Sequence, residues 1–216
     1  EHNELWQNAL RLIPRATQTM SKARDQFVEG FYPAFALSGN GAYILGSDGK
    51  KYLDYAAALG PIILGYCHKS TNDAIIKQLK IGINFTLPTL LEQTLAQLIV
   101  DIVPCAEQVR FAKNGSDVTM AAIRMARSYT NKDHIAYCGY HGWSDFFVAA
   151  SSRPYGIPKV LKDYVHEFEY NNLNSLEELL KTKEVAGIIL EPTALTKPNP
   201  GFLEGVRRLA TQYNAV

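Results

Sequence analysis

Beyond Pro104 the chain alternates short apolar runs with segments of helical periodicity, and this alternation restricts the fold more than any other feature of the sequence. Residues 108–112, 134–138 and 185–190 have the length and composition of buried strands, while 117–129, 175–181 and 203–213 repeat their apolar positions at helical spacing. Strands separated in this way cannot be closed by tight hairpins. The expectation is therefore α/β: a three-layer α/β/α arrangement around a mostly parallel sheet, with helices on both faces. Residues 139–174 break the rhythm, and an irregular run of that size in a compact domain is either functional or conceals an element. Ala215-Val216 reads as the start of another buried strand, so the chain is expected to be an incomplete part of its domain and, alone, prone to aggregate through an exposed sheet edge.

The N-terminal part follows a different pattern. Leu5, Trp6, Ala9, Leu10 and Ile13 recur at helical spacing and Pro14 stops them, which predicts an amphipathic helix over residues 3–13. Residues 34–37, 42–45 and 51–55 predict small antiparallel strands, the last two joined through an Asp48-Gly49 turn. Helices are expected over 71–81 and 91–103, the second ended by Pro104. The domain reading is an N-terminal helix and antiparallel meander, residues 1–55, followed by the first part of a large domain, residues 56–216.

Composition removes several function classes. Hydrophobic residues are 47% and charged residues 20% of the 216, which argues for a folded soluble chain and against disorder or a fibrous structure. Lys and Arg total 22 against 21 acidic residues, with no basic run, so no nucleic-acid partner is expected. Cys67, Cys105 and Cys138 are odd in number and far apart, without a CxxC pair, which supports neither a disulfide framework nor a metal site. The opening Glu1-His2-Asn3-Glu4 lacks a signal-peptide pattern, and no apolar stretch nears the roughly 18 residues of a membrane span. The expectation is a cytoplasmic protein with no membrane partner.

One segment carries chemistry on its own terms. Lys113-Asn114-Gly115-Ser116-Asp117 lies between the expected strand 108–112 and a helix with Ala121, Ala122, Met125 and Ala126 on one face. A glycine before a helix N-terminus lets backbone N–H groups approach an anion that the helix dipole favours, so Gly115 and Ser116 are phosphate-binding candidates. A simple helix cap at Ser116 with a turn glycine at Gly115 explains the same spacing. Neither a Walker A nor a GxGxxG pattern is present, so an unrelated α/β phosphate-ligand protein stays an open alternative.

Five motifs occur in order, the third containing that segment: Gly41-Ala42-Tyr43 with Asp48-Gly49-Lys50-Lys51-Tyr52-Leu53-Asp54; Gly60-Pro61-Ile62-Ile63-Leu64-Gly65-Tyr66-Cys67-His68; Val109 through Asp117; Gly139-Tyr140-His141-Gly142-Trp143-Ser144-Asp145; and Ile188-Ile189-Leu190-Glu191-Pro192 with Gly201-Phe202-Leu203-Glu204-Gly205. With them the sequence resembles the class III aminotransferases, pyridoxal-phosphate (PLP) enzymes of fold type I, and within these the branch of glutamate-1-semialdehyde 2,1-aminomutase. The resemblance covers nearly the whole chain and corresponds to the N-terminal half of such an enzyme.

The resemblance implies roles residue by residue. Asn114, Gly115 and Ser116 would hold the PLP phosphate, in a loop that in the family usually reads Ser-Gly-Thr-Glu. Tyr140 would stack on the pyridine ring, with His141 beside it. Glu191, at the end of an apolar strand, is a candidate active-site acid. Gly60 and Pro61 match the substrate-side loop, although Tyr66 and Lys69 depart from its common form, and Lys22 falls nearest the position of a substrate-carboxylate arginine, with a point charge in place of a bidentate fork. The Schiff-base lysine and the aspartate that protonates the pyridine nitrogen have no counterpart in the 216 residues. The implied function is an aminotransferase or aminomutase acting on a small-molecule amino donor and carbonyl acceptor, glutamate-1-semialdehyde-like or a keto-sugar, as a homodimer. The 216 residues alone would be inactive. The alternative is a non-catalytic half-protein that binds a phosphate ligand or a partner.

Overall fold

The computed structural model of the chain describes residues 2–28, 31–193 and 195–216. They form two compact units, Glu1–Leu90 and Leu91–Val216.

The first unit opens with helix α1 (His2–Leu12), as its apolar spacing predicts, and Trp6 turns its indole toward Phe35 at 6.1 Å. Strands β1 (Ala36–Asn40), β2 (Tyr43–Gly46) and β3 (Lys51–Leu53) make an antiparallel sheet in that order. The turn between β2 and β3 needs Gly49 at φ +78°, and Asp48 braces it by accepting the Tyr52 hydroxyl at 2.6 Å. Residues 38–40 also belong to β1, past the expected end of that strand. Helix α2 (Lys69–Leu79) follows, and helix α3 (Leu90–Ile102) opens the second unit; neither has a buried residue among those described.

In the second unit, helix α4 (Gly115–Thr130) leads into strand β4 (His134–Cys138), followed by the short helix α5 (Asp145–Val148) and strand β5 (Val165–Glu167). Helix α6 (Leu173–Thr182), strand β6 (Val185–Leu190) and helix α7 (Phe202–Gln212) complete it. The sheet order is β5-β4-β6, and both neighbours of β4 run parallel to it. The parallel sheet expected from the alternation is present, with two corrections. Residues 108–112 form no strand and pair with none among the described residues. Conversely, the irregular run 139–174 contains β5, whose three residues include His166 and Glu167 and so offer no apolar period to read. Val216 lies in register beside β6: its N–H donates to Ala186 O at 2.9 Å, and Ile188 N–H donates to its carbonyl at 2.8 Å.

Alternation along the central strand distributes the core. Ala136 and Cys138 face a cluster built from Leu176, Leu180, Phe202, Val206 and Leu209 of α6 and α7. Ile135 and Tyr137 face the opposite cluster, with Ile123 of α4 and Phe146 and Phe147 of α5. Side chains of a strand point alternately to its two faces, so β4 anchors both layers of helices. Leu176 is fully buried, and Leu176→Ala is expected to cost about 2–5 kcal/mol in chemical denaturation, against less than about 0.5 kcal/mol for Leu195→Ala at a fully exposed position.

At the opposite end of the sheet from the strands' C-termini, His134 Nδ1 and His166 Nε2 lie 3.0 Å apart on adjacent strands, with Tyr164 stacked on His134. Burial, with smaller contributions from His134 and Lys183, lowers the His166 pKa from 6.5, while Asp163 opposes the shift. A histidine depressed in this way contributes stability that is fully present above its unfolded pKa and is lost as pH falls toward the folded one. The melting temperature is therefore expected to drop on acidification below about pH 6.5, and His166→Gln to flatten that limb of the profile, read by thermal unfolding of the full-length protein.

Candidate functional site

The C-terminal ends of β4 and β6 and the N-terminus of α4 meet in the second unit. Helix α4 starts two residues earlier than the sequence predicts, at Gly115, so Asn114 is its cap and Ser116 belongs to the first turn. The Asp117 carboxylate reaches back and accepts the Asn114 backbone N–H at 3.1 Å and its side-chain amide at 3.3 Å. This leaves the N–H groups of Gly115 and Ser116 outside the helical ladder, at the positive end of the helix dipole. Gly115 has ordinary helical φ, and a Cβ there would meet nothing within 4 Å. Neither backbone conformation nor packing within the chain requires glycine at this position. The first-turn N–H groups beside it are open to an anion, and a phosphate group fits there.

The loop after β4 is stitched to the same turn. Trp143 N–H donates to Ser116 Oγ at 3.3 Å, and Thr119 Oγ1 donates to His141 O at 2.9 Å. Gly142 at φ +104° allows the closest approach, since a Cβ there would collide with the Ser116 side chain. His141 is buried: its Nε2–H donates to Cys138 O at 2.9 Å and its ring packs against Phe147 at 5.2 Å. Between these anchors Tyr140 stands 74% exposed. Its ring is thus held on a fixed loop with most of its surface uncovered.

Glu191 follows β6, and the pairing of Cys138 with Leu190 brings it beside the loop. A Cβ at Gly139 would lie 2.8 Å from Glu191 Oε2. Burial, then the carboxylates of Glu167 and Glu191, push the Cys138 thiol upward in pKa, so it stays protonated at neutral pH and is no nucleophile. The structure therefore gathers Asn114, Gly115, Ser116, Tyr140, His141 and Glu191 at one end of the sheet, where open α/β sheets collect their ligands.

The remaining candidates belong to the first unit. Lys22 ends a 3₁₀ turn, Met20–Lys22, and lines a cavity of about 210 Å³ together with Trp6, Arg24, Asp54, Ala58 and Leu59. Gly60, at φ +105°, and Pro61 come directly after that cavity wall. Thr119, Gly142 and Trp143 escaped the sequence reading as positioning residues. The signal was present for Thr119, which lies one helical turn after Ser116, whereas Gly142 and Trp143 carried no visible role until the loop's path was known.

Parallel strands end beside a helix N-terminus here, and a loop between them holds an exposed aromatic ring. The family model "Aminotransferase class-III" matches residues 28–216, and the chain belongs to that family. It is 39% identical over 221 residues to the 3-aminobutyryl-CoA aminotransferase of Cloacimonas acidaminovorans, covering 98% of this chain and 52% of that protein. It is 35% identical over 201 residues to the glutamate-1-semialdehyde 2,1-aminomutase of Natranaerobius thermophilus, covering 85% of this chain and 47% of that protein. Among solved structures, an omega-transaminase from Sphaerobacter thermophilus superposes with a TM-score of 0.90 at 29% identity, covering all of this chain and 53% of the other. The chain spans about half the length of the relatives it matches. Among the described residues no helix is long and apolar enough to cross a membrane.

Gly142→Ala is expected to cost about 1–3 kcal/mol, because it combines a positive φ with a collision against Ser116, and chemical denaturation of the variant reads that loss directly.

Proposed function

We propose that the full polypeptide carrying this chain is a PLP-dependent aminotransferase or aminomutase that moves an amino group to or within a small carbonyl substrate, glutamate-1-semialdehyde-like or a keto-sugar. The same reading makes it a cytoplasmic homodimer using a small-molecule amino donor. The observation that carries it is the N-terminus of α4, where the backbone N–H groups of the first turn lie beside Gly115, a glycine the fold itself does not need.

In this reading Asn114, Gly115 and Ser116 receive the cofactor phosphate, and the dipole of α4 stabilises its charge. Tyr140 would stack on the cofactor ring, while His141, bonded to Cys138 O, keeps the Tyr140 loop from drifting. Bound there, PLP supplies the electron sink that lets a proton leave the amino-bearing carbon. Glu191 presents a carboxylate at the rim beside Gly139, where it orients polar groups of the cofactor or substrate. Lys22 offers a positive charge to a substrate carboxylate, and Gly60-Pro61 line the substrate side. The lysine and aspartate that complete the chemistry lie outside these 216 residues by the resemblance, so this half binds and orients.

Two measurements test the reading. Borohydride treatment of the full-length protein followed by intact mass is expected to show one covalently fixed pyridoxyl phosphate per chain; a mass without adduct refutes it. Gly115→Ala is expected to leave stability unchanged or raise it by up to about 1 kcal/mol, since the position is helical and open, yet to weaken PLP binding by about tenfold or more. An unchanged PLP affinity would remove Gly115 from the phosphate site.

A further inference from the structure

The wall of the Lys22 cavity contains an unusual piece of backbone. Ala57, Ala58 and Leu59 follow one another at φ +46°, +54° and +70°, and Gly60 continues at +105°. L-residues enter the left-handed region singly, because Cβ crowds the following carbonyl oxygen, and a run of three persists only where the surroundings dictate it. The turn closes on itself through Leu59 N–H to Ala56 O at 2.8 Å and Gly60 N–H to Ala57 O at 3.0 Å. What dictates it is the Asp54 carboxylate. Its Oδ1 accepts Ala56 N–H at 2.9 Å, and its Oδ2 accepts Ala58 N–H at 3.4 Å and the Tyr66 hydroxyl at 2.6 Å.

Tyr66 is itself fixed. It exchanges two backbone hydrogen bonds with Gly41, at 2.8 and 3.0 Å, and its ring covers Gly39 so closely that a Cβ there would lie 2.6 Å from it. The carboxylate thus ties the left-handed turn to the β1–β2 end of the meander. These hydrogen bonds hold Asp54 below the usual carboxylate range and push the Tyr66 phenol up to about 12, so the pair stays carboxylate and phenol across the neutral range.

Ala58 and Leu59 wall the cavity that Lys22 and Arg24 also line, and Asp54 lines it too. We propose that Asp54 is a positioning residue for substrate recognition: through its hold on the 57–60 turn it shapes the Lys22 cavity for an anionic carbonyl substrate and sets where Gly60-Pro61 stand. This rests on the reading of Lys22, Gly60 and Pro61 as substrate-side residues. It assigns a specificity role to a carboxylate that acts through the turn it holds.

The test compares Asp54→Asn and Tyr66→Phe in the full-length, PLP-loaded protein. Asparagine replaces one acceptor by a donor facing the amides, whereas phenylalanine removes only the phenol. Asp54→Asn is expected to raise KM for the carbonyl acceptor about tenfold, with kcat and the borohydride-fixed PLP per chain within about twofold of wild type, and Tyr66→Phe to shift KM the same way by less. Hydrogen exchange at the Ala56, Ala58 and Gly60 amides is expected to quicken in both. A fall in kcat that tracks the folded or PLP-loaded fraction, at unchanged KM, overturns the proposal in favour of plain structural support. Unchanged exchange at the turn overturns it as well, and if Asp54→Asn fails to fold, Tyr66→Phe carries both readouts. A wild-type protein without fixed PLP refutes the proposed function and the substrate role with it, while the exchange experiment still decides whether Asp54 holds the turn.

Discussion

The second unit depends on one strand. β4 has a parallel partner on each side and a helical layer on each face, so its five residues touch every layer of the unit. Ile135 and Ala136 are essentially inaccessible, one against α4 and α5 and the other against α6 and α7. The position of Cys138 follows from that packing, and the loop that begins at Gly139 is aimed by it. A site built at the end of such a strand inherits the rigidity of the whole core, which is what a flat cofactor needs if its reactive carbon is to be held in register.

The loop and the helix N-terminus are coordinated by side chains that have no chemistry of their own. Thr119 and Trp143 each bridge the two segments, and Gly142 lets them touch. His141 gives up its exposed position to brace the loop from beneath, which leaves Tyr140 as the outward residue. Two adjacent aromatic residues thus divide the work, one anchoring and one presenting. The first unit uses a different device: a strained turn held by a carboxylate in place of a strand end packed into a core.

Much of this was legible in the sequence. Strands 134–138 and 185–190 coincide with β4 and β6 because both are continuous apolar runs, the pattern of strands buried on two faces. β5 was not legible: it is short and half polar, and becomes a strand only because β4 offers an unpaired edge. Residues 108–112 carried strand-like residue types without a neighbour to pair with among those described, so composition alone misled. The start of α4 was visible from Gly115 and the helical spacing behind it, although the cap proved to be Asn114, since a residue that can cap does so wherever the first turn begins. The left-handed turn at 57–59 was invisible, because alanine and leucine give no signal for positive φ and the cause lies in Asp54 and Tyr66.

The central place of β4 also sets the order in which the unit can be assembled during synthesis. β4 leaves the ribosome before either of its partners: Val165 pairs with Ile135 and Val185 with His134, so each edge of β4 waits for residues roughly thirty and fifty positions downstream. Until α6 and α7 have both emerged, one hydrophobic face of the nascent sheet is incompletely covered. The emerging chain therefore exposes its central strand longest, and this interval is the one in which a chaperone has a target.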